Sequence, residues 1–296
     1  MVRNRCSSRS SARNPEVHPI LWRFVDGSTI SSYSVLTALG YLTGIVWLRT
    51  QVKNMRVTPA LFYSLVGTLL VAALSGGKLG FIIVEWREVV ADSGPMRLEW
   101  NTGWMFWSGF LLACLAGSFY QVWYNKTHRP RAYLPVADYF AAALAMGHAI
   151  GRIGCWTEGC CHGRPTGLPW GLAFTGRASS VPPHLFGVLL HPTQLYEAFG
   201  EAVAAAIFIG WVLPSIRAGK LRYGTAFLGY ILYYSVLRFL IECLRGDDRG
   251  EFLSSALSPS QWVSLVAGSV AVWVLRTRGV IEREPGKRSL YADGRP

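Results

Sequence analysis

Residues 151–166, the end of an apolar segment and the glycine-rich turn that follows it, contain side chains that could do chemistry. The first charged residue, Arg152, stands at the end of the apolar segment. An arginine at that depth usually faces a water-filled cavity or an anionic partner, because burying its charge in hydrocarbon is costly. Further reactive side chains follow at once: Glu158, Cys160, Cys161 and His162. We therefore take this turn as the centre of a functional site.

A second set of charges lies on the apolar segment 224–244. Arg238 and Glu242 are four residues apart and share one face of a helix, and Arg245 lies about one turn further on. An arginine at the bilayer centre costs roughly 2.5–3.5 kcal/mol, so Arg152 and Arg238 need partners or water. An Arg238–Glu242 ion pair that only locks helices together is the structural alternative.

A third polar group begins the apolar segment 193–213. The run His191-Pro-Thr-Gln-Leu-Tyr-Glu197 places His191, Gln194, Tyr196 and Glu197 at one helix start, too many polar groups for an ordinary entry into lipid. Glu201 extends the polar face by one turn. His148 precedes Arg152 by four residues and shares its helical face, but a single helical histidine is more often a hydrogen-bonded core residue than a base.

The cysteines of the turn admit two interpretations. Cys155, Cys160, Cys161 and His162 have the spacing C-x4-C-C-H, which is not a standard zinc arrangement, and adjacent cysteines do not easily bind one tetrahedral ion without strain. We therefore expect neither a metal ion nor a cofactor. A disulfide among these cysteines is the alternative if the turn faces an oxidising periplasm.

The elements that must position these residues are apolar segments long enough to span a bilayer. The chain is 51% apolar and 16% charged over 296 residues. Such segments occur near 30–48, 59–84, 103–124, 132–154, 193–213, 224–244 and 259–275. The predicted fold is an all-α polytopic membrane protein with seven transmembrane helices.

The basic residues orient these spans. The net charge of +12 does not indicate nucleic-acid binding, since Lys and Arg fall between the spans and form no single patch. Segments after the odd-numbered spans hold 15 Lys or Arg, and the loops on the other side hold 6. The positive-inside rule then places the C-terminus in the cytoplasm. Seven spans place the N-terminus outside, against the charge of Arg3, Arg5, Arg9, Arg13 and Arg23, and a miscounted span is the alternative. The long loop between helices four and five lies outside.

Three regions follow along the chain. Residues 1–29 form an Arg- and Ser-rich tail without the apolar stretch of a signal peptide, which we expect to be disordered. Residues 30–278 form the seven-helix domain. Residues 279–296 form a basic cytoplasmic tail.

Three sequence blocks, taken in order, carry a resemblance. They are Gly151-Arg152-Ile153-Gly154 with Gly159 and Gly163-Arg164, then His191 to Glu197, then Arg238 to Glu242 with Arg245. The chain resembles the prolipoprotein diacylglyceryl transferases, the first enzymes of bacterial lipoprotein maturation. The resemblance implies a multi-pass protein of the bacterial inner membrane, with seven helices and the N-terminus outside.

The resemblance also implies a reaction. A diacylglyceryl group passes from phosphatidylglycerol to the thiol of a lipobox cysteine in a prolipoprotein, and glycerol phosphate leaves. An arginine fork can hold and neutralise the leaving phosphate, so Arg152 and Arg238 are the candidate catalytic residues, with Glu242 orienting Arg238. The implied partners are phosphatidylglycerol, lipobox peptides and membrane lipid.

Other residues receive roles by the same resemblance. Tyr33 is placed like a family tyrosine that hydrogen-bonds near the lipid head. The remaining candidate substrate-binding residues are Glu158, Tyr196, Arg245 and Lys78. The family usually carries its proposed base in a Phe-His-Gly-Gly segment, which here reads Phe106-Trp107-Ser108-Gly109. His191 is our first candidate for the base, ahead of His162 and Glu158.

Two alternative functions stay open. The first is a related membrane transferase that acts on another lipid or acceptor, suggested by Trp107 and the cysteines of the turn. The second is an anion transporter without enzymatic activity. Transporters often show internal repeats or interrupted helices in corresponding halves, and the sequence shows none.

Overall fold

The chain is helical over most of its described length. The computed structural model describes residues 19–25, 29–84, 105–127, 134–174, 179–246 and 257–281. The longer helices are α1 (Ser32–Thr50), α2 (Pro59–Val84), α3 (Phe106–Thr127), α4 (Leu134–Glu158), α5 (Thr193–Ile207), α7 (Thr225–Leu244) and α8 (Pro259–Ile281). A π-helical turn, Phe208–Val212, joins α5 to the short helix α6, Leu213–Arg217.

The helices coincide with the apolar segments that the sequence predicts, which confirms a mostly helical membrane fold. Within the described residues, three helical stretches are long and apolar enough to cross a bilayer: Pro59–Ile83, Thr193–Arg217 and Thr225–Leu244. Seven crossings, and the sides on which the termini lie, stay predictions.

Two short antiparallel sheets accompany the helices. Strand β1 (Ile20–Arg23) pairs with β2 (Thr29–Ser31), and β3 (Leu172–Ala173) pairs with β4 (Leu189–Leu190). The prediction of disorder up to residue 29 is therefore wrong for Ile20–Arg23, where an Ile-Leu-Trp run favours a strand. Residues 1–18 of that tail and 282–296 of the C-terminal tail lie outside the described residues, and α8 continues to Ile281.

The chain divides into two compact units, Ile45–Val136 and the rest. In the smaller unit α2 packs along α3, where Met105 donates a backbone hydrogen bond to Gly77 (3.1 Å). Lys78 lies in this unit. It is buried on α2, with Nζ 5.7 Å from the centre of the Phe81 ring.

In the larger unit, α1 and α4 approach each other at two glycines. A Cβ atom on Gly40 would lie 2.6 Å from the carbonyl oxygen of Gly147, so no side chain fits at this crossing. The close approach fixes the rotation of α4 about its axis, and His148 and Arg152 lie on another face of the helix, toward Glu201 and Glu197.

Asp138 fixes the start of α7 in the same unit. Its fully buried carboxylate accepts hydrogen bonds from the backbone N–H groups of Gly224 (2.6 Å) and Phe227 (3.0 Å). A carboxylate at a helix N-terminus satisfies unpaired donors and favours the positive end of the helix dipole. Asp138 thereby ties α4 to α7, the two helices that carry the candidate arginines.

Candidate active site

One face of α7 carries a polar ladder. Tyr230, Tyr234, Arg238 and Glu242 follow one another at intervals of four residues, which places them one above the other on a helix. Tyr230, Arg238 and Glu242 are buried. On α5, Glu197 and Glu201 are spaced in the same way and are also buried. The two ladders face each other.

Glu197 lies at the centre of the arrangement because both candidate arginines contact it. Arg152 donates from Nη2 to Oε1 of Glu197 at 2.9 Å, and Nη1 of Arg238 lies 3.5 Å from Oε2. The Tyr234 hydroxyl donates to Oε1 at 3.1 Å. Arg238 also donates to Glu242 and to the Ser260 hydroxyl (3.3 Å). One carboxylate thus connects helices α4, α5 and α7.

His148 joins the same network from α4. Arg152 Nε donates to its Nε2 at 3.2 Å, while its Nδ1 lies 3.6 Å from Oε1 of Glu201. The Tyr234 ring packs edge-on against the imidazole, with ring centres 5.1 Å apart. Oε2 of Glu201 accepts from the Tyr230 hydroxyl at 3.0 Å.

The glycine-rich turn is fixed between the ends of two helices. Gly163 donates its backbone N–H to His191 O (3.0 Å), and Arg164 donates to Leu244 O at the end of α7 (2.9 Å). A Cβ atom on Gly163 would lie 2.5 Å from the Cβ of His191 and 2.9 Å from Leu244 O, so the turn requires glycine here. The turn is therefore held by backbone hydrogen bonds to the segment before α5 and to the end of α7.

Two side chains of α5 donate hydrogen bonds to backbone carbonyls of the same turn. Gln194 Nε2 donates to Cys160 O (2.7 Å), and the Thr193 hydroxyl donates to Cys161 O (2.8 Å). These bonds place the two cysteines next to the end of α4, where Cys155 lies 3.9 Å from Nη1 of Arg152.

The turn brings three thiols together. The sulfur atoms of Cys155, Cys160 and Cys161 all lie within 4.8 Å of one another. Cys161 adopts a left-handed backbone conformation (φ 61°), which L-residues other than glycine rarely occupy. Hydrogen bonds from the Cys155 and Cys160 thiols lower the pKa of Cys161, and the charges of Arg152 and Arg245 add to this effect. Tyr33 packs on Gly154 beside this cluster.

The site residues predicted from the sequence do not all lie together. Arg152, Arg238 and Glu242 meet in the network around Glu197. His191 and Tyr196 lie beside the turn instead: their side chains approach to 3.5 Å, and Tyr196 accepts from Trp170 Nε1 (2.8 Å). Within the described residues, neither makes a hydrogen bond or ion pair with Arg152 or Arg238.

Arg245 and Glu158 each lie at the end of a helix next to the turn. Arg245 is buried at the end of α7, and its carbonyl accepts from Arg164 Nε (3.0 Å). Glu158 ends α4, and its carbonyl accepts from the N–H of Ser180 (2.9 Å). The described part of the chain shows no ion pair of Glu158. Lys78 belongs to the smaller unit.

Sequence reasoning missed the tyrosines of α7 and the central position of Glu197. The signal was present, because Tyr230 and Tyr234 continue the spacing of Arg238 and Glu242 toward the N-terminus. The sequence identifies Glu197 and Glu201 only as polar residues at the start of a helix. Only the packing of α5 against α4 and α7 reveals that Glu197 joins the two arginines.

The arrangement can hold an anion. Two guanidinium groups share one carboxylate, and within the described residues Nη1 of buried Arg238 donates no hydrogen bond. Such donors suit the oxygens of a phosphate group. The Arg152 side chain is 13% exposed and that of Arg238 only 3%, so a ligand reaches Arg152 first.

Known proteins are similar to this chain in sequence. The family of prolipoprotein diacylglyceryl transferases matches residues 19–277. Three similar proteins are named phosphatidylglycerol–prolipoprotein diacylglyceryl transferase. The one from Clostridium tetani is 28% identical over 86% of this chain and 96% of its own length. Those from Bifidobacterium adolescentis and Cupriavidus metallidurans are 32% and 34% identical, over 86% and 78% of this chain and 81% and 78% of their own lengths. The chain therefore belongs to the prolipoprotein diacylglyceryl transferase family.

Proposed function

We propose that this protein transfers the diacylglyceryl group of phosphatidylglycerol to the lipobox cysteine thiol of prolipoproteins and releases glycerol phosphate. The names of the similar proteins support the reaction and its two substrates. The observation that carries the proposal is the pair of arginines, Arg152 and Arg238, held on one carboxylate. The reaction forms a C–S bond and breaks the bond between a glycerol carbon and a phosphate oxygen.

The leaving phosphate needs positive charge that is fixed in place before the reaction. Both arginines stay charged at any relevant pH, and their planar groups match phosphate oxygens. Because they are anchored by Glu197, they need little reorganisation as charge develops on the leaving group. We assign phosphate binding to Arg152 and Arg238. Glu242 and Glu197 position the guanidinium groups, and His148 positions Arg152 from the other side.

The lipid chains have a suitable surface next to Arg238. A groove of about 610 Å³ runs between α7 and α8, and its lining includes Leu232, Phe239, Leu265 and Val272. Ser264 also lines it and donates to Ser260 O (2.8 Å), while the Ser260 hydroxyl accepts from Arg238. A lipid with its phosphate at the arginines can therefore lay an acyl chain along this groove.

The acceptor side involves the turn. His191 keeps the role of proton acceptor for the lipobox thiol, since its backbone pairs with Gly163 and Arg164 and places it at the turn. Tyr33, Glu158, Tyr196, Arg245 and Lys78 keep their proposed roles in substrate binding.

The proposed setting is the bacterial inner membrane. Seven crossings, an outer N-terminus and a cytoplasmic C-terminus agree with the distribution of Lys and Arg between the apolar segments. The turn would then face the outer side, where prolipoproteins emerge. Reporter fusions after Arg56, Arg222 and Arg276 should all report the cytoplasm, and a fusion in 165–190 the outer side.

The reaction is tested with purified full-length protein, phosphatidylglycerol and a lipobox peptide. We expect the peptide to gain the mass of one diacylglyceryl group and this gain to be lost in Arg152→Ala and Arg238→Ala. Arg49→Ala is the matched control, because Arg49 is exposed and bonds only Tyr63 in the described residues. An unmodified peptide, under conditions where the transferase of a relative modifies it, would refute the proposal.

A further inference from the structure

The three thiols of the turn have the geometry of a metal-binding site. All three sulfur atoms lie within 4.8 Å of one another. Two thiolates bound to one tetrahedral zinc ion, with Zn–S bonds of about 2.3 Å, stand about 3.8 Å apart. The sulfur atoms would therefore have to approach one another by no more than about 1 Å to bind one ion.

The backbone explains why adjacent cysteines can serve one ion here. In an ordinary turn the side chains of neighbouring residues diverge, and the C-x4-C-C spacing argues against zinc for that reason. Here Gly159 (φ 78°) and Cys161 (φ 61°) both have left-handed backbone conformations, and the Cys161 sulfur lies within 4.8 Å of the sulfurs of Cys155 and Cys160. A non-glycine residue held in this region costs free energy, and such strain is concentrated at functional sites.

Two cations lie near the cluster. Nη1 of Arg152 lies 3.9 Å from the Cys155 sulfur, and Arg245 is buried at the end of α7, where its carbonyl accepts a hydrogen bond from Arg164. Three thiolates and one divalent ion carry a net charge of −1, which these cations balance. Hydrogen bonds from the side chains of Gln194 and Thr193 to the carbonyls of Cys160 and Cys161 hold the ligand-bearing turn in place, as supporting groups do around metal sites.

We propose that Cys155, Cys160 and Cys161 form a three-thiolate site for a zinc-class divalent ion with an open fourth position. Zinc sites with three protein ligands leave the fourth position to water or substrate. Among the described residues, the cluster of possible ligands contains the three cysteines and not His162.

The open position suggests a use, and this step rests on the proposed function. With an ion bound, the three cysteines would leave one position for the lipobox sulfur, and the ion would supply positive charge that favours the thiolate form of that sulfur. His191, at the turn, would accept the proton of the thiol. The sulfur then attacks the glycerol carbon, the C–S bond forms, and the C–O bond breaks with its electron pair going to the departing glycerol phosphate. A bound cation lowers the pKa of a thiol ligand, so the nucleophile is available at neutral pH.

Metal binding is tested on the full chain in detergent under reducing conditions. Titration with Cd²⁺ alone should give the ultraviolet absorption of thiolate–cadmium bonds, saturating near one ion per chain. Each of Cys155→Ser, Cys160→Ser and Cys161→Ser should weaken binding at least tenfold. Cys114→Ser and Cys243→Ser are the controls, and they should bind as the unmodified chain does.

A second experiment uses the unmodified chain, so its result does not depend on whether a cysteine variant folds. In the unmodified chain, Zn²⁺ should protect Cys155, Cys160 and Cys161 from alkylation by a maleimide, read by peptide mass spectrometry. Absence of saturable absorption, or equal alkylation with and without Zn²⁺, would overturn the site.

Lipidation in the same preparations separates the two proposals. Metal binding without lipidation refutes the transferase and leaves the metal site standing. Lipidation that is unchanged after a chelator has removed the ion refutes the step through the acceptor thiol and leaves the transferase standing. Loss of lipidation with the ion, and its recovery on adding Zn²⁺, supports both.

Discussion

Arg152 on α4 donates a 2.9 Å hydrogen bond to Oε1 of Glu197 on α5, and the other oxygen of that carboxylate faces Arg238 at 3.5 Å. Two like charges in a buried place repel each other unless an anion lies between them. Glu197 supplies that anion before any lipid binds. The same geometry leaves each guanidinium with donors for a phosphate.

Replacing Glu197 by Ala removes the carboxylate between the arginines. Breaking a buried ion pair from one side costs about 3–5 kcal/mol, so we expect a markedly lower unfolding temperature in detergent. Glu197→Gln keeps an acceptor for Tyr234 and should lower the unfolding temperature less than Glu197→Ala does. Both variants should lower the rate of lipidation. An unfolding temperature of Glu197→Ala equal to that of the unmodified protein would contradict the central position of Glu197.

Replacing either arginine by Lys keeps the charge and removes the planar fork. If Arg152 and Arg238 hold the leaving phosphate, kcat for lipidation should fall about 10²-fold in Arg152→Lys, the usual effect of losing one donor to developing charge. Arg238→Lys should show a similar fall, since it also loses its bond to Ser260. Initial rates at saturating phosphatidylglycerol measure this. A change in KM alone would indicate that the arginines bind the lipid equally in ground and transition states.

Replacing Gly163 by Ala places a Cβ atom where His191 and the Leu244 carbonyl already lie. Neither neighbour is the free end of a side chain, so the turn must shift. Misfit of this kind costs about 1–3 kcal/mol, and we expect lower lipidation together with lower stability. Gly167→Ala in the same loop is the control, because nothing lies within 4 Å of its Cβ position. Equal behaviour of the two variants would show that the turn adapts.

Replacing Asp138 by Ala removes both acceptors at the start of α7. The N–H groups of Gly224 and Phe227 then lose their partners, and loss of a helix cap costs about 0.5–2 kcal/mol. Asp138→Asn offers only one acceptor oxygen and should lie between the two. Because α7 carries Arg238, thermal unfolding and lipidation should decline together along this series. An Asn variant less stable than the Ala variant would contradict capping as the role of Asp138.

Sequence reasoning located the helices because bilayer-length apolar runs leave few alternatives to a helix. It also located Arg152, Arg238 and Glu242, since a charge in an apolar segment stands out. It did not place Glu197 between the arginines, because periodicity tells which residues share a face and not which helices meet. The approach of Cys155, Cys160 and Cys161 depends on the backbone of one residue, the positive φ of Cys161, for which cysteine gives no signal.

The two histidines near the site are expected to have different roles, one as the base and the other as a positioning residue. His191 lies at the turn, whereas His148 contacts Arg152 and faces Glu201. A base acts only in its neutral form, so the rate of lipidation should rise as the pH increases. We expect His191→Gln to remove this rise and His148→Gln to lower kcat while the rise remains. Rates from pH 5 to 9 with one lipobox peptide measure both, and the reverse pattern would assign the base to His148.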